Sequence, residues 1–194
     1  MQQYNLNFPL HTKYLPEDYI VTRANSIAYE VIIESKQPWG GLPYPYHLLL
    51  IGPKSSGKTH LASIWSGDNV IEGIESWDEE ALLHVFNQSH EDSKPLLMTA
   101  SSLPKFTLPD LRSRINSVRT LNLGLPDEEM IAVLLTRYFS ARSLKVNGDV
   151  IDYLAARLER NFDTIRLFVE HLDNYSLEVG RDITVRLVRK LLSE

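Results

Sequence analysis

The hydrophobic and polar positions of this chain follow two different patterns. Between residues 47 and 124, short continuous apolar runs alternate with amphipathic segments, whereas only amphipathic segments follow Gly124. Continuous apolar runs of strand length are typical of strands buried on both faces of a parallel sheet, and apolar positions at helical spacing are typical of amphipathic helices. The pattern therefore predicts an α/β region followed by an all-helical region.

The candidate strands are "HLLLIG" (47–52), a short segment at 69–75, "PLLMTA" (95–100) and "VRTLNLG" (118–124). Helices are predicted between them at 58–66, 79–88 and 108–115, and ahead of them at 24–35. Asn25 and Asp78 stand where they can cap the helices that follow them. Strands that alternate with helices along the chain predict a parallel sheet.

Four capped amphipathic segments make up the rest: "LPDEEMIAVLLTRYFSARSL", "NGDVIDYLAARLER", "NFDTIRLFVEHLDNYSLEVG" and "DITVRLVRKLLSE". They show helical spacing and no strand pattern between them. We therefore expect an extended tail at 1–12, an α/β domain at 13–125 and a small helical domain at 126–194.

Composition and charge narrow the function classes. The chain has 194 residues, is 43% hydrophobic and carries a formal net charge of −5, which argues against a protein whose main role is to coat DNA. A local basic patch remains compatible with that charge. We expect neither a membrane span nor a signal peptide, and the absence of cysteine excludes disulfides and agrees with a cytoplasmic protein.

The strongest local signal is "GPKSSGKT", which fits the phosphate-loop pattern G-x-x-x-x-G-K-[ST] and lies between a predicted strand and a predicted helix. Its glycines let backbone N–H groups turn toward phosphates, its lysine bridges the outer phosphates and its threonine hydroxyl ligates Mg²⁺. The alternative is a Gly-Ser turn that carries a lysine by chance. The candidate phosphate-binding residues are Gly52, Pro53, Lys54, Ser55, Ser56, Gly57, Lys58 and Thr59, followed by His60.

This loop, an acidic strand, a "TASS" strand end, an "RSR" helix and a helical lid together resemble the AAA+ fold of the DnaA family of bacterial replication initiators. The resemblance covers nearly the whole chain and implies binding of ADP or ATP with Mg²⁺. In "EDYIVTRANSIAYE" it places four residues near the adenine base: Tyr19, Ile20, Val21 and Asn25. In "LLMTASSLP" it places Thr99 and Ser101 near the γ-phosphate, although the family usually has Asp at the position of Ser101.

Relatives carry a further strand and helix between the phosphate loop and the acidic strand. Here only one helix and one turn fit between Thr59 and Glu72. We therefore expect a parallel sheet of four strands rather than five, shortened at the edge beyond the acidic strand.

Within the family, the chain resembles the short Hda-like regulators, which pair with the initiator on the sliding clamp of DNA polymerase III. "QYNLNF" is similar to the clamp-binding pattern of that group, with Gln3, Leu6 and Phe8 as anchors and Tyr4 in place of the usual Leu. The alternative is a tail that packs Leu6 and Phe8 on its own domain. The resemblance implies the clamp and the DnaA initiator as partners, association with the nucleoid through them, and no direct sequence-specific reading of DNA.

Two departures from the family pattern bear on catalysis. Working ATPases of this type end the acidic strand in two acids, one for Mg²⁺ and one for the attacking water, but here Glu72 is followed by Gly73. Glu72 is then the Mg²⁺ ligand or a solvated strand-end carboxylate, and Glu75, two residues after Gly73, could substitute as the second acid. We expect weak or absent intrinsic ATPase activity.

The second departure lies in the lid, where the family's sensor arginine is replaced by Asp163. Arg166, one helical turn later, is left with two roles, as the substitute sensor or as an ion-pair partner of Asp163 or Glu170.

"LRSRI" matches the segment that bears the family's arginine finger, which falls on Arg114. Such a residue stabilises phosphoryl transfer on a neighbour's nucleotide. The favoured hypothesis is thus a nucleotide-binding regulator that acts on the initiator's ATP in trans. The alternatives are a self-sufficient AAA+ ATPase that remodels or loads a partner, a small-molecule kinase, and a protein-binding domain with an empty phosphate loop. A homo-oligomer remains open.

Overall fold

The computed structural model describes residues 14–34, 38, 40–65, 69–180 and 182–192. The strands within them are β1 (His47–Ile51), β2 (Asn69–Ile71), β3 (Leu96–Ala100) and β4 (Arg119–Asn122). The helices are α1 (Ser26–Glu34), α2 (Lys58–Ile64), α3 (Glu79–Glu91), α4 (Pro109–Asn116), α5 (Glu128–Ala141), α6 (Gly148–Ala155), α7 (Phe162–Val179) and α8 (Val185–Leu192). The predicted clamp-binding tail, residues 1–12 with Gln3, Tyr4, Leu6 and Phe8, lies outside the described residues.

The four strands form one parallel sheet in the order β2-β3-β1-β4. The prediction of a four-stranded parallel sheet is confirmed. All four strands end at one edge of the sheet, at Ile51, Ile71, Ala100 and Asn122, which we name the carboxyl edge. They begin at the opposite edge, at His47, Asn69, Leu96 and Arg119, which we name the amino edge. The strands that follow β1 in sequence lie on both sides of it: β2 and β3 on one side, and β4 on the other. The crevice at the carboxyl end of β1 is therefore a topological switch point, where such sheets bind ligands.

Both faces of the sheet are buried, as continuous apolar strands require. Successive side chains of a strand point to opposite faces, so Leu49 packs with Phe86 of α3 and Leu111 of α4, while Leu48 and Leu50 pack toward α1 and α2. All of these side chains have no measurable exposure. The sheet is therefore a rigid central layer that fixes the loops at its two edges.

The helices after Gly124 form a helical lid with a hydrophobic core of its own. Its fully buried members come from every lid helix: Leu135, Leu154, Ile165, Val169, Leu172 and Val188. Asp127 and Asn161 cap α5 and α7 through their side chains. None of the helices in the described part of the chain is both long and apolar enough to cross a membrane.

Two local predictions need correction. The strand expected at 69–75 ends at Ile71, because Gly73 takes a left-handed conformation (φ +66°) and Ile74–Ser76 form a 3₁₀ turn. The side chain of Asn25, expected to cap α1, instead accepts a hydrogen bond from the Thr22 N–H at 2.8 Å. Gly73 thus ends β2 early, and the Asn25 side chain stabilises the turn that precedes α1.

Candidate nucleotide-binding site

The loop between β1 and α2 is built on two glycines that no other residue could replace without strain. Gly57 has φ +91°, in the left-handed region. A Cβ atom on Gly52 would lie 2.7 Å from Cβ of Leu123 and 2.8 Å from Oγ of Ser56. The glycines of the phosphate-loop pattern thus shape a tight turn at the carboxyl edge.

Lys58 folds back over this turn. Its Nζ donates hydrogen bonds to the carbonyl oxygens of Gly52 at 2.7 Å and Pro53 at 2.8 Å. Burial lowers the pKa of Lys58, and the charges of Glu75 and Glu72 partly oppose that shift. The ammonium group is therefore held at the mouth of the loop, where phosphates would lie.

The two predicted magnesium ligands meet beside it. Thr59 Oγ1 donates to Oε2 of Glu72 at 2.5 Å. Within the part of the chain that the structure describes, no three His, Asp or Glu side chains cluster as a metal site. A hard cation at this pair would therefore need phosphate and water oxygens to complete its shell.

Gly73, at the position where the second acid is missing, is held by a hydrogen bond from its backbone N–H. The Gly73 N–H donates to Thr99 Oγ1 at 3.1 Å, and Thr99 is buried, so this predicted γ-phosphate residue supports the acidic turn. Glu75 Oε1 accepts from the Ser101 N–H at 2.9 Å. Burial would raise the pKa of Glu75, but its backbone hydrogen bonds, the Ser101 contacts and the Lys58 charge hold that pKa below its usual value. Glu75 is thus an ionised carboxylate that interacts with the charge of Lys58. It belongs to a 3₁₀ turn and not to the strand that the sequence predicted.

The predicted adenine-side segment is ordered by internal contacts. The amide of Asn25 donates to the Ile20 carbonyl oxygen at 2.8 Å and to Oη of Tyr19 at 3.1 Å. Tyr19 stacks on Tyr29, with ring centroids 5.4 Å apart, and desolvation raises its pKa to about 12 despite the hydrogen bond from Asn25. Asn25 therefore shapes the segment, and its polar atoms are already bonded to it.

A cavity of about 630 Å³ lies between the phosphate loop and the lid, within the range of small-molecule and cofactor sites. The predicted residues that line it are Ile20, Lys54, Ser55, Gly57, Lys58, Thr59, His60, Ser101 and Arg166. Asn25 and Ser56 line a smaller neighbouring cavity of about 120 Å³. The predicted nucleotide-site residues that line neither cavity are Tyr19, Val21, Gly52, Pro53, Glu72 and Thr99. The cavity has the shape and the cationic lining that a nucleotide requires.

The lid contributes residues of both charges. Arg166 reaches the cavity and pairs with Glu170 at 3.7 Å, one turn further along α7. Asp163, at the predicted position of the family's sensor arginine, accepts a hydrogen bond from Ser55 Oγ at 2.8 Å. The predicted sensor position thus carries an acid that contacts the phosphate loop directly.

Arg114, the predicted arginine finger, does not line the cavity. Arg114 belongs to α4, which runs back from the carboxyl edge to the amino edge. Its Nε donates to Asp110 Oδ1 at 3.1 Å and its Nη1 to Oη of Tyr44 at 3.3 Å. Tyr44 stands just before β1 and packs against Phe86, with ring centroids 4.9 Å apart. The structure thus anchors Arg114 at the amino edge, away from its own phosphate loop.

Sequence reasoning missed several residues of these sites. Arg137 of α5 lines the larger cavity and donates to the Asp18 carbonyl oxygen at 2.5 Å, and Tyr14 and Leu134 line it too. Tyr44, which holds Arg114, was also not predicted. None of them belongs to a motif; the only available signal was that Arg137 lies near the polar face of an amphipathic helix.

Comparison with known proteins agrees with this geometry. Residues 127–192 match the family model of the Hda lid domain. The chromosomal replication initiator DnaA of Lactobacillus acidophilus is 30% identical over 118 residues, which is 59% of this chain and 26% of that protein. An uncharacterized protein of Haemophilus influenzae is 31% identical over 127 residues, or 62% of this chain and 54% of that protein. The chain thus spans about a quarter and about half of these two relatives.

Solved structures share the fold over most of the chain. Domain III of Thermotoga maritima DnaA superposes with a TM-score of 0.72 at 19% identity, covering 96% of this chain and 98% of that one. AMPPCP-bound DnaA of Aquifex aeolicus gives 0.63 at 19% identity, covering 86% and 67%. The RuvB Holliday junction branch migration motor of Thermotoga maritima gives 0.54 at 16% identity, covering 77% and 62%.

The sheet, the phosphate loop at its switch point and the lid over that loop define the fold: the chain has the AAA+ fold, with an α/β core and a helical lid. Within that fold, the sequence is similar to DnaA over part of the chain, and the lid matches the Hda lid domain.

Proposed function

We propose that this chain is an adenine-nucleotide-binding regulator of chromosomal replication initiation that promotes hydrolysis of ATP bound to the DnaA initiator. In this proposal the phosphate loop holds ADP or ATP, Lys58 contacts the outer phosphates, and Thr59 and Glu72 hold Mg²⁺. When bound, the nucleotide supplies a charged group that links the loop to the lid. Support comes from the cavity, its cations, and the AMPPCP-bound structure of a DnaA neighbour.

The observation that carries the proposal is the position of Arg114. Tyr44 and Asp110 hold its guanidinium at the amino edge, whereas the phosphate loop follows the carboxyl end of β1. Five residues of β1 separate these ends by about 15 Å. An arginine held there is poorly placed for its own nucleotide, and we infer that it acts on the nucleotide of a neighbouring molecule.

The acidic turn supports the same division of roles. Gly73 has no side chain to orient a water, and Glu75 is bonded to the Ser101 N–H. The chain therefore has few means of hydrolysing its own nucleotide. We infer that the nucleotide sets the arrangement of loop and lid, and that the catalytic contribution is made in trans.

Docking on the DNA polymerase III sliding clamp is proposed for residues 3–8, on the strength of their sequence pattern. A Gln with spaced apolar residues suits a peptide groove, in which the amide fixes register and the apolar side chains fill pockets. We expect removal of residues 1–8 to abolish capture by the clamp. Capture that survives the deletion would contradict this part of the proposal.

The function is tested by mixing the chain with ATP-bound initiator and with clamp loaded on DNA. Initiator-bound ATP should be hydrolysed faster than without the chain, and the acceleration should require the loaded clamp. The assay is run with ADP, with ATP and with no added nucleotide. If the chain does not change the rate of hydrolysis of initiator-bound ATP under any of these conditions, the proposed function is wrong.

A self-sufficient AAA+ ATPase is a second candidate, favoured by the hydrogen bond between Thr59 and Glu72, which brings the two predicted magnesium ligands together. It predicts ATP turnover by the isolated chain that Lys58→Ala abolishes. Turnover of this kind, without stimulation of the initiator, would select this candidate.

A further inference from the structure

The outer surface of the lid carries a cluster of basic side chains that the proposed function does not use. α8, with the sequence VRLVRKLL, contributes Arg186, Arg189 and Lys190 and contains no acid. These three residues are three and four positions apart, so they lie on one face of the helix, and all three are exposed. The other face of α8 is buried in the lid core through Leu187 and Val188. The exposed side of α8 is therefore basic.

Two tyrosines hold these cations in place. Tyr153 of α6 and Tyr175 of α7 are partly buried against the lid core. The guanidinium carbons of Arg157 and Arg189 lie 3.9 and 5.8 Å from the centroid of the Tyr153 ring, within the range of cation–π interactions. Lys190 Nζ donates a hydrogen bond to Tyr175 Oη at 3.1 Å. We name the four cations the lid basic surface: Arg157, Arg186, Arg189 and Lys190.

The stability of the lid does not account for this concentration of charge. Within the described part of the chain, no Asp or Glu side chain lies within salt-bridge distance of Arg157, Arg186 or Arg189. The guanidinium groups of Arg157 and Arg189 contact the same ring and repel each other. Arg186 lies in the first turn of α8, where a cation opposes the helix dipole. A surface that gathers cations at such a cost is suited to bind a polyanion.

We propose that the lid basic surface binds the phosphate backbone of duplex DNA without reading its sequence. The guanidinium group presents paired N–H donors that match the oxygens of a phosphate. α8 has 8 residues and is about 12 Å long, and duplex DNA carries about seven phosphate charges over that length. Each cation of the surface therefore has a phosphate within reach.

The way α8 is buried favours DNA over a lipid surface. An amphipathic helix that binds a membrane inserts its apolar face into the bilayer, whereas Leu187 and Val188 of α8 are already buried in the lid core. Contact with a phosphate backbone needs only the exposed basic face. Because the whole chain has a formal net charge of −5, the rest of the molecule repels DNA on average. The duplex is therefore directed to the lid.

A weak contact of this kind is sufficient beside a second attachment. If the chain docks on a clamp that is loaded on DNA, as proposed, the duplex is already next to it at a high effective concentration. The lid basic surface would then orient the chain on the duplex. DNA binding by this surface requires neither the nucleotide site nor Arg114.

The test measures the fluorescence anisotropy of a labelled DNA duplex titrated with the full chain at several salt concentrations. The lid variant combines Arg186→Gln with Arg189→Gln, which removes two exposed charges from a helix whose buried side chains are unchanged. For the parent we expect log affinity to fall with log salt with a slope of about −3 to −4, and for the lid variant a slope smaller by about two. At low salt, about 50 mM, the lid variant should bind about tenfold more weakly or worse.

Arg23→Gln combined with Lys105→Gln is the matched control. Both residues are exposed and lie outside the lid, so the control removes the same charge from another surface. It should keep the slope of the parent. Arg186→Lys combined with Arg189→Lys keeps the charge of the lid and should bind within about threefold of the parent, because the contact is chiefly electrostatic. Urea unfolding compares the stability of all variants.

A loss of affinity and slope that is confined to the lid variant supports the inference. Equal losses in the lid variant and the control would overturn it, as would a parent that does not bind DNA at low salt. Vesicles that contain phosphatidylserine are titrated in parallel, and binding to vesicles but not to DNA would assign the surface to lipid and overturn the inference. These measurements involve no nucleotide, clamp or initiator, so a failure here leaves the proposed function untouched.

Discussion

The two edges of the sheet differ in chemistry. The carboxyl edge carries a glycine-rich turn, a partly buried lysine, acids and a wide cavity under the lid. The amino edge carries an aromatic cluster of Tyr44, His47, Phe86 and His90, with Arg114 held on its outer side by Tyr44. The carboxyl edge has an open cavity, whereas the amino edge has a packed aromatic cluster beside a partly exposed arginine that is paired with Asp110. The proposed function assigns binding to the first of these edges and the catalytic contribution to the second.

Arg114→Ala gives the largest expected effect and tests the amino edge. An arginine finger contributes about 10³-fold or more to phosphoryl transfer, so the variant should lose nearly all stimulation of initiator-bound ATP hydrolysis. The measurement is a single-turnover hydrolysis assay with clamp loaded on DNA. Arg112→Ala, which removes an exposed arginine from the same helix, should retain stimulation. Equal loss in both variants would indicate a general charge effect.

Lys58→Ala tests the carboxyl edge. A hydrogen bond to a charged group in a partly buried site is worth up to about 3 kcal/mol, so nucleotide affinity should fall by about 100-fold. Titration calorimetry measures this fall, with Lys145→Ala, at an exposed lysine in the lid, as the matched charge control. If nucleotide affinity is unchanged in Lys58→Ala, the phosphate loop is not the nucleotide-binding site.

Much of the difference between the two edges of the sheet could be predicted from the sequence, because it depends on local patterns. The phosphate loop and the helix of Arg114 are local patterns, and continuous apolar runs predicted the strands because both faces of the sheet are buried. The early end of β2 depends on the left-handed Gly73, which apolar periodicity does not encode. The contacts of Ser55 with Asp163, of Arg137 with Asp18 and of Arg114 with Tyr44 join distant segments. Side-chain pairs of that kind arise from tertiary packing and leave no local signal.

The last prediction concerns His47 and the stability of the amino edge rather than binding or hydrolysis. It is fully buried, and neither ring nitrogen has a hydrogen-bond partner. Burial, and then the charge of His90, lower its pKa from 6.5 to about 4. Between these pH values the unfolded chain binds a proton that the folded chain does not, so stability is full above pH 6.5 and is lost as the pH falls toward 4.

The expected loss from His47 alone is about 3 kcal/mol of unfolding free energy between pH 7 and pH 4. Urea unfolding at a series of pH values measures it, and the difference between the parent and His47→Phe separates this residue from the carboxylates that also titrate. The charged or titratable neighbours are His90, Tyr44 and, through Tyr44, Arg114. The same pH dependence in parent and variant would show that His47 does not resist protonation.

The central claim is that the nucleotide held by this chain is not the one that it helps to hydrolyse. The most direct test gives the chain and the initiator ATP with different radioactive labels, removes free nucleotide, and follows both labels through one turnover with clamp on DNA. We expect the initiator's ATP to become ADP while the labelled nucleotide on this chain remains largely unchanged. Hydrolysis of the chain's own label, with the initiator's ATP left intact, would contradict it.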